Sequence, residues 1–144
     1  MYSVVEVNNE NEVNKFLSIV NKIYASDPLY IRPMDKDIIK VFNPAANKFF
    51  SNGKAIRWNL YDGDTHIGRV AAFYSESYAF GGGYRVGGMG FFECIENKEA
   101  AYRLFDLCIE WLANHNIQIM EGPVNFGERN AFWGLLISTD RQPN

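Results

Sequence analysis

Long apolar runs are absent from this 144-residue sequence. No stretch approaches the ~18 residues that a membrane-spanning helix needs. The opening, Met1 to Val7, is too short and too polar for a secretory signal, so a soluble, cytoplasmic protein is expected. Charge of one sign is missing too. Fourteen Lys and Arg stand against seventeen Asp and Glu, for a net charge of −3, and the basic residues are scattered singly. With neither a basic stripe nor an acidic tail, nucleic acid and membrane surfaces are not the expected partners. Cysteine is scarce. Cys94 and Cys108 read as two buried or half-buried thiols in a reducing compartment, with a disulfide as the alternative. Histidine is equally scarce, and His66 and His115 stand at no ligand spacing with either cysteine, so no metal is expected.

Aromatic residues are plentiful: eleven Phe, eight Tyr and three Trp bring the aromatic share to 15%. The hydrophobic fraction is 47% and the charged fraction 22%, the balance of a packed domain. No repeat, low-complexity tract or linker divides the chain, so one domain over residues 1–144 is expected. A domain of this size buries ~68–70% of its unfolded surface without needing a staple.

Hydrophobic periodicity outlines the elements. Residues 2–7 alternate as a short strand. Asn9 and Glu12 have capping-box spacing ahead of Val13, Phe16, Leu17, Val20, Ile23 and Tyr24, which recur as one helical face. That helix stops before Asp27-Pro28. A shorter helix is expected from about Asp35 to Phe42. Residues 44–54 read as a loop whose Phe49 and Phe50 pack back on the core. Ile56, Trp58 and Leu60 alternate with Arg57, Asn59 and Tyr61. Asp62-Gly63 is a tight-turn signal, and Thr65 to Tyr74 is the return strand. Residues 75–85 read as a mobile loop. Val86 to Ile95 is a strand feeding a strongly amphipathic helix from about Lys98 to His115, with Ala101, Leu104, Phe105, Cys108 and Leu112 on one face. Ile117 to Glu121 is a further strand, and residues 127–137 begin a last helix. The order β-α-α-β-β-β-α-β predicts an α/β (α+β) domain with a mixed sheet: an antiparallel meander, then a parallel pair joined by the 98–115 helix.

Several places could carry chemistry. The glycines between 81 and 90 match neither G-x-G-x-x-G nor G-x-x-x-x-G-K-[ST], and they precede their strand instead of following it. They read as a flexible loop followed by small residues at a close approach. Alternatively, Gly87, Gly88 and Gly90 leave room for a ligand along the strand. The turn Glu96-Asn97-Lys98-Glu99-Ala100 opens a helix and reads first as ordinary capping, in which Glu96 or Glu99 caps the helix or complements its dipole; alternatively its backbone N–H groups meet an anion and Lys98 adds charge. Glu93 and Glu121 lie near the strand pair, and each reads plainly as an outward-facing or salt-bridged surface glutamate. Arg69 is expected on an exposed face, with a buried ion pair as the alternative. Trp58 and Trp111 read as packing residues, and Trp133 as either exposed or covered. Asn125, Glu128, Arg129 and Asn130 read as loop and cap residues, or else as a substrate-facing lip.

The element order looks like the GNAT acetyltransferase fold. The segments "IYASDPLYIRPM", "IGRVAAFY", "GFFECIENKEAAYRLFDLCIEWL" and "EGPVNFGERNAFWGLL" resemble the N-terminal portion of a group of longer bacterial GNAT-like proteins. The resemblance implies acetyl transfer from acetyl-CoA or another acyl-CoA to the amine of a small molecule or peptide. In GNAT enzymes the strand before the helix offers backbone groups to the pantetheine arm, and the following turn holds the pyrophosphate through a Q/R-x-x-G-x-G/A signature. By position, the arm runs along Met89, Phe91 and Phe92, and the pyrophosphate sits at Asn97, Lys98, Glu99, Ala100 and Ala101. The strand at 117–121 splays away to make room. Asn97 stands near the Gln/Arg position and Ala100 near the first Gly. Glu93 and Glu121 are the implied catalytic candidates. A late tyrosine to protonate the leaving thiolate is missing, since none follows Tyr102.

Because the resembling proteins are longer, the chain is expected to be either a fragment lacking C-terminal strands or a natural short form, with homodimerisation covering any exposed apolar surface. Two functions stay open: an acyl-CoA-dependent N-acyltransferase or its cofactor half, and a non-catalytic GNAT-like binding or assembly module.

Overall fold

The computed structural model describes residues 1–76, 80–81 and 84–127. Alternation and turn chemistry build a mixed sheet first. Strand β1 (Tyr2–Glu6) lies antiparallel to β2 (Gly53–Asp62), with Val4 opposite Leu60. β2 turns through Asp62-Gly63 into β3 (Thr65–Ser75), and Gly63 takes the left-handed φ of 59° that suits glycine. β3 is antiparallel to β5 (Tyr84–Cys94), and the short β4 (Phe80–Gly81) pairs with Tyr84 and Arg85 at the start of β5. The helix α3 (Lys98–Asn114) then crosses over, so that β6 (Ile119–Glu121) is parallel to β5. The expected meander and parallel pair are both present. The segment read as a loop over 75–85 holds β4 and the first β5 residues, since Phe80–Gly81 can hydrogen-bond to β5 without any apolar periodicity of its own.

Period-2 alternation divides the core between the sheet's two faces. Val70 and Ala72 of β3 point to one face, where Leu60, Met89, Leu104, Cys108 and Leu112 cluster under α3. Ala71 and Phe73 point to the other, where they pack with Phe126, Phe49 and Phe50. α1 (Glu10–Ile23) and α2 (Asp35–Val41) cover that second face through Phe16, Leu17 and Ile38. The 44–54 stretch contains a 3-10 turn over Lys48–Asn52, and its two phenylalanines do pack back, with Phe50 edge-on to Phe126 at 5.0 Å.

Only half of the capping box forms. Asn9 Oδ1 accepts from the Glu12 N–H at 2.9 Å, but the Glu12 carboxylate turns inward, accepting from Asn59 at 2.8 Å and Tyr61 at 2.9 Å. Trp58 is in the core, and Trp111 packs beside Tyr74 on α3. Both cysteines are free thiols, and burial raises Cys94 to about 11 and Cys108 to about 12, which leaves both inert at neutral pH. The helix expected over 127–137, with Glu128, Arg129, Asn130 and Trp133, lies outside the described residues apart from Gly127. Among the described residues, no helix is long and apolar enough to cross a membrane and no cluster of possible metal ligands occurs.

Candidate functional site

The site begins with one extra residue in β5. Arg69 lies opposite Glu93, yet Ala71, two residues on, lies opposite Gly90, three residues back. The surplus residue makes a bulge, and Phe91 takes a φ of 55° there. Beyond the bulge, the Ile95 N–H donates to the Ile67 carbonyl at 3.0 Å, so Ile95 and Glu93 turn their backbone groups toward β3. By alternation the backbone groups of Phe92 and Cys94 face the opposite edge. β6 covers that edge only over Val86–Gly88, and the Met89 carbonyl then accepts the Val124 N–H at 2.9 Å. Among the described residues, the edge at Phe92 and Cys94 is therefore open, and it leads directly into the first turn of α3.

That first turn is built by Asn97. Its backbone is extended, at φ −145°, and its side chain accepts from the Ala100 N–H at 3.1 Å, so the capping reading is realised. Lys98 and Glu99 are exposed beside it. Ala100 is fully buried and its methyl group belongs to the core under α3, so it does not project over the turn. Ala101 is half-buried.

On the second sheet face, Glu93 is half-buried at the end of β5. The Tyr24 hydroxyl, one residue past α1, donates to Glu93 Oε2 at 2.6 Å. Tyr30 stacks on Tyr24, with ring centroids 3.9 Å apart and planes 6° apart. Burial holds the Glu93 carboxyl above its ordinary range, against the opposing pull of the Tyr24 hydrogen bond and the Arg69 charge. Burial and the Glu93 charge both push the Tyr24 phenol upward. Glu93 is thus a half-buried carboxylate beside the Phe92–Cys94 segment whose hold on a proton is strengthened by burial.

Arg69 is not on an exposed face. Only 3% of it is accessible, because β3 is covered on both sides. It also makes no ion pair among the described residues. Its Nε donates to the Phe91 carbonyl at 2.9 Å, its Nη1 donates to the Phe16 carbonyl at 2.5 Å, and the guanidinium lies 4.7 Å from the centre of the Phe16 ring.

No family model matches the sequence, and no characterised protein matches it by sequence. Solved structures do match. A tandem GNAT protein from the clavulanic acid biosynthesis pathway aligns with a TM-score of 0.62 and 14% identity, over 85% of this chain and 39% of that one. A predicted acetyltransferase from Clostridium acetobutylicum, solved with acetyl-CoA, aligns with a TM-score of 0.59 and 14% identity, over 98% of this chain and 96% of that one. An aminoglycoside acetyltransferase from an uncultured soil metagenomic sample, in complex with sisomicin, aligns with a TM-score of 0.54 and 8% identity, over 86% and 78%. The chain has the GNAT fold.

Within this GNAT fold, the residues expected at the site divide into three groups. Asn97, Lys98, Glu99, Ala100 and Ala101 form the strand-to-helix turn. Phe92 lies on the open edge, with its ring against Phe105 at 4.8 Å, and Phe91 forms the bulge, with its ring against Phe42 at 5.1 Å. Met89 is displaced from the edge: it is buried, and its carbonyl is occupied by Val124. The two carboxylates are not brought together. Glu121 is exposed and opposite Gly88, five residues from Glu93, or roughly 17 Å along the strand.

Gly87, Gly88 and Gly90 serve the close approach expected of them, and the alternative of room for a ligand along the strand does not hold there. A Cβ at Gly87 would meet Leu112 at 2.7 Å, one at Gly88 would meet the Phe73 ring, and one at Gly90 would run into the Val124 carbonyl. From sequence alone, Tyr24 has only a place on a helical face, Tyr30 is passed over, and Arg69 is expected on an exposed face. A signal existed for the last, a lone charge inside the apolar run Ile67–Ala72.

Proposed function

We propose that this chain is an acyl-CoA-dependent N-acyltransferase that moves an acetyl group from acetyl-CoA to the amine of a small molecule or peptide. The observation that carries this reading is the Phe92–Cys94 edge, unpaired among the described residues, which runs into the capped turn of α3 with Glu93 beside it. The Clostridium neighbour was solved with acetyl-CoA and the soil enzyme with an aminoglycoside, which supports both halves of the reading. The backbone groups of Phe92 and Cys94 match the amides of a pantetheine arm. The N–H groups of the Asn97–Ala101 turn, with Lys98 alongside, suit a pyrophosphate. The thioester supplies an activated acyl carbon. The incoming amine must be neutral to attack it, and Glu93, half-buried and raised by burial, is the residue to which this reading gives the proton.

Titration of the protein with acetyl-CoA by calorimetry and thermal melting tests the reading. Acetyl-CoA at 100 times its Kd is expected to stabilise the protein by ~2.7 kcal/mol. No heat of binding and no change in melting at millimolar acetyl-CoA or CoA would remove the proposal. A second reading rests on Asn97 and Ala100, where the side chain serves the cap and the methyl group serves the core. It is a non-catalytic GNAT-like binding or assembly module, and it predicts that null titration.

A further inference from the structure

Arg69 and Glu93 are directly opposite on β3 and β5, so their side chains leave the sheet on the same face. Opposite charges in such a pair ordinarily meet. Here they do not: the buried guanidinium is engaged by the carbonyls of Phe91 and Phe16, and Glu93 takes its hydrogen bond from Tyr24. The Phe91 carbonyl belongs to the bulge, whose left-handed φ a phenylalanine adopts only under constraint. The Phe16 carbonyl belongs to α1. A single side chain thus ties the strained residue of β5 to the helix on that face.

We propose that Arg69 is a positioning residue: by holding the Phe91 and Phe16 carbonyls it fixes the bulge that sets the Phe92–Cys94 edge, and it forms no ion pair with the Glu93 carboxylate opposite it. The part that concerns acetyl-CoA rests on the reading above. The part that concerns the bulge and Glu93 does not.

Removing the guanidinium releases the carbonyl that pins the bulge, so the edge loses its fixed geometry. It also removes a positive charge facing Glu93. The other titratable or charged groups facing that carboxyl are Tyr24 and Tyr30, from the segment after α1, with Arg32 beyond them. Arg69→Lys keeps the charge but cannot span both carbonyls with a planar fork. Arg69→Met keeps much of the length and removes the charge.

The test combines backbone NMR, titration of the Glu93 carboxyl carbon, and acetyl-CoA affinity. In both variants the amide shifts of Phe91–Cys94 are expected to move more than those of β2, and the acetyl-CoA Kd to rise at least tenfold. The Glu93 titration midpoint is expected to rise in Arg69→Met and to stay near the wild-type value in Arg69→Lys. A role confined to overall stability would lower the melting temperature of both variants without this split. If Arg69→Met does not fold, Arg69→Lys decides: a shifted bulge sustains the proposal, and unchanged Phe91–Cys94 amides overturn it. A wild-type protein that never binds acetyl-CoA defeats the functional reading alone, because the NMR and titration results still judge Arg69.

Discussion

A carboxylate whose pKa rises on folding works against the structure that holds it. Burial raises Glu93, so the folded protein binds its proton more tightly than the unfolded chain does. Its contribution to stability is complete below the ordinary carboxylate range and is lost as pH rises through the folded value. Above that value the ionised side chain is retained at a cost. Replacement by glutamine keeps an acceptor for the Tyr24 hydroxyl and removes the charge. Glu93→Gln is therefore expected to melt higher than wild type at pH 8, with the gap closing toward pH 4. If Glu93 is the base, the same variant should lose roughly 10²- to 10⁴-fold in acetyl-transfer rate. A variant that gains stability but keeps its full rate would assign proton removal to another group. Glu121 provides the control for the rate, since it is exposed and distant from Glu93: Glu121→Gln is expected to leave the acetyl-transfer rate unchanged.

Two positions on the strand-helix unit separate what its geometry requires from what merely strengthens it. Asn97 caps α3, and Asn97→Ala is expected to destabilise by about 1 kcal/mol. That should appear as a fall of a few degrees in Tm. Gly90 is a stricter case. A methyl group there would meet the Val124 carbonyl, which is backbone and cannot rotate away. Gly90→Ala is expected to cost about 1–3 kcal/mol through forced displacement of the segment after β6, seen as a lower urea midpoint. Elements of this unit were legible because their signals are local: apolar spacing for α3 and an extended apolar run for β5. The same holds for α1 and the β2–β3 hairpin. The cap of α3 itself falls to Asn97 and not to Glu96 or Glu99. The features that escaped the sequence are made by distant partners. Glu12 has capping-box spacing, but Asn59 and Tyr61 draw its carboxylate inward across 47 and 49 positions. Glu93 reads as a surface residue until Tyr24 arrives from 69 positions away. Phe80–Gly81 becomes a strand only because the start of β5 lies beside it.

For the whole molecule, the polar seam between α1 and the β2–β3 hairpin holds two groups, His66 and Glu12, whose shifts on folding make stability fall with acid. His66 stacks on Tyr61 at 5.0 Å and its Nε2 pairs with the Gly68 carbonyl at 2.9 Å. Burial pushes His66 down to about 4, only partly opposed by that hydrogen bond and by the Glu12 charge. A histidine lowered on folding contributes stability that is complete above its unfolded pKa of ~6.5. That stability is lost as pH falls toward about 4, because only the unfolded chain takes up the proton easily. Glu12 acts next. Burial alone would raise it, but hydrogen bonds from Asn59 and Tyr61, together with Lys15, hold it below its ordinary value. Its stabilising contribution is therefore lost only as pH drops through that lower range. Glu93 has the opposite sign and cannot account for a loss on acidification. His66→Phe preserves an aromatic ring against Tyr61 and removes the titrating group. The wild-type Tm is expected to fall between pH 6.5 and 4 and to fall further below that. The His66→Phe curve should be flatter through the upper interval and should still descend below it, where Glu12 titrates. Melting curves at half-unit pH steps decide the matter: parallel wild-type and His66→Phe profiles would show that the seam's acid sensitivity does not originate at His66.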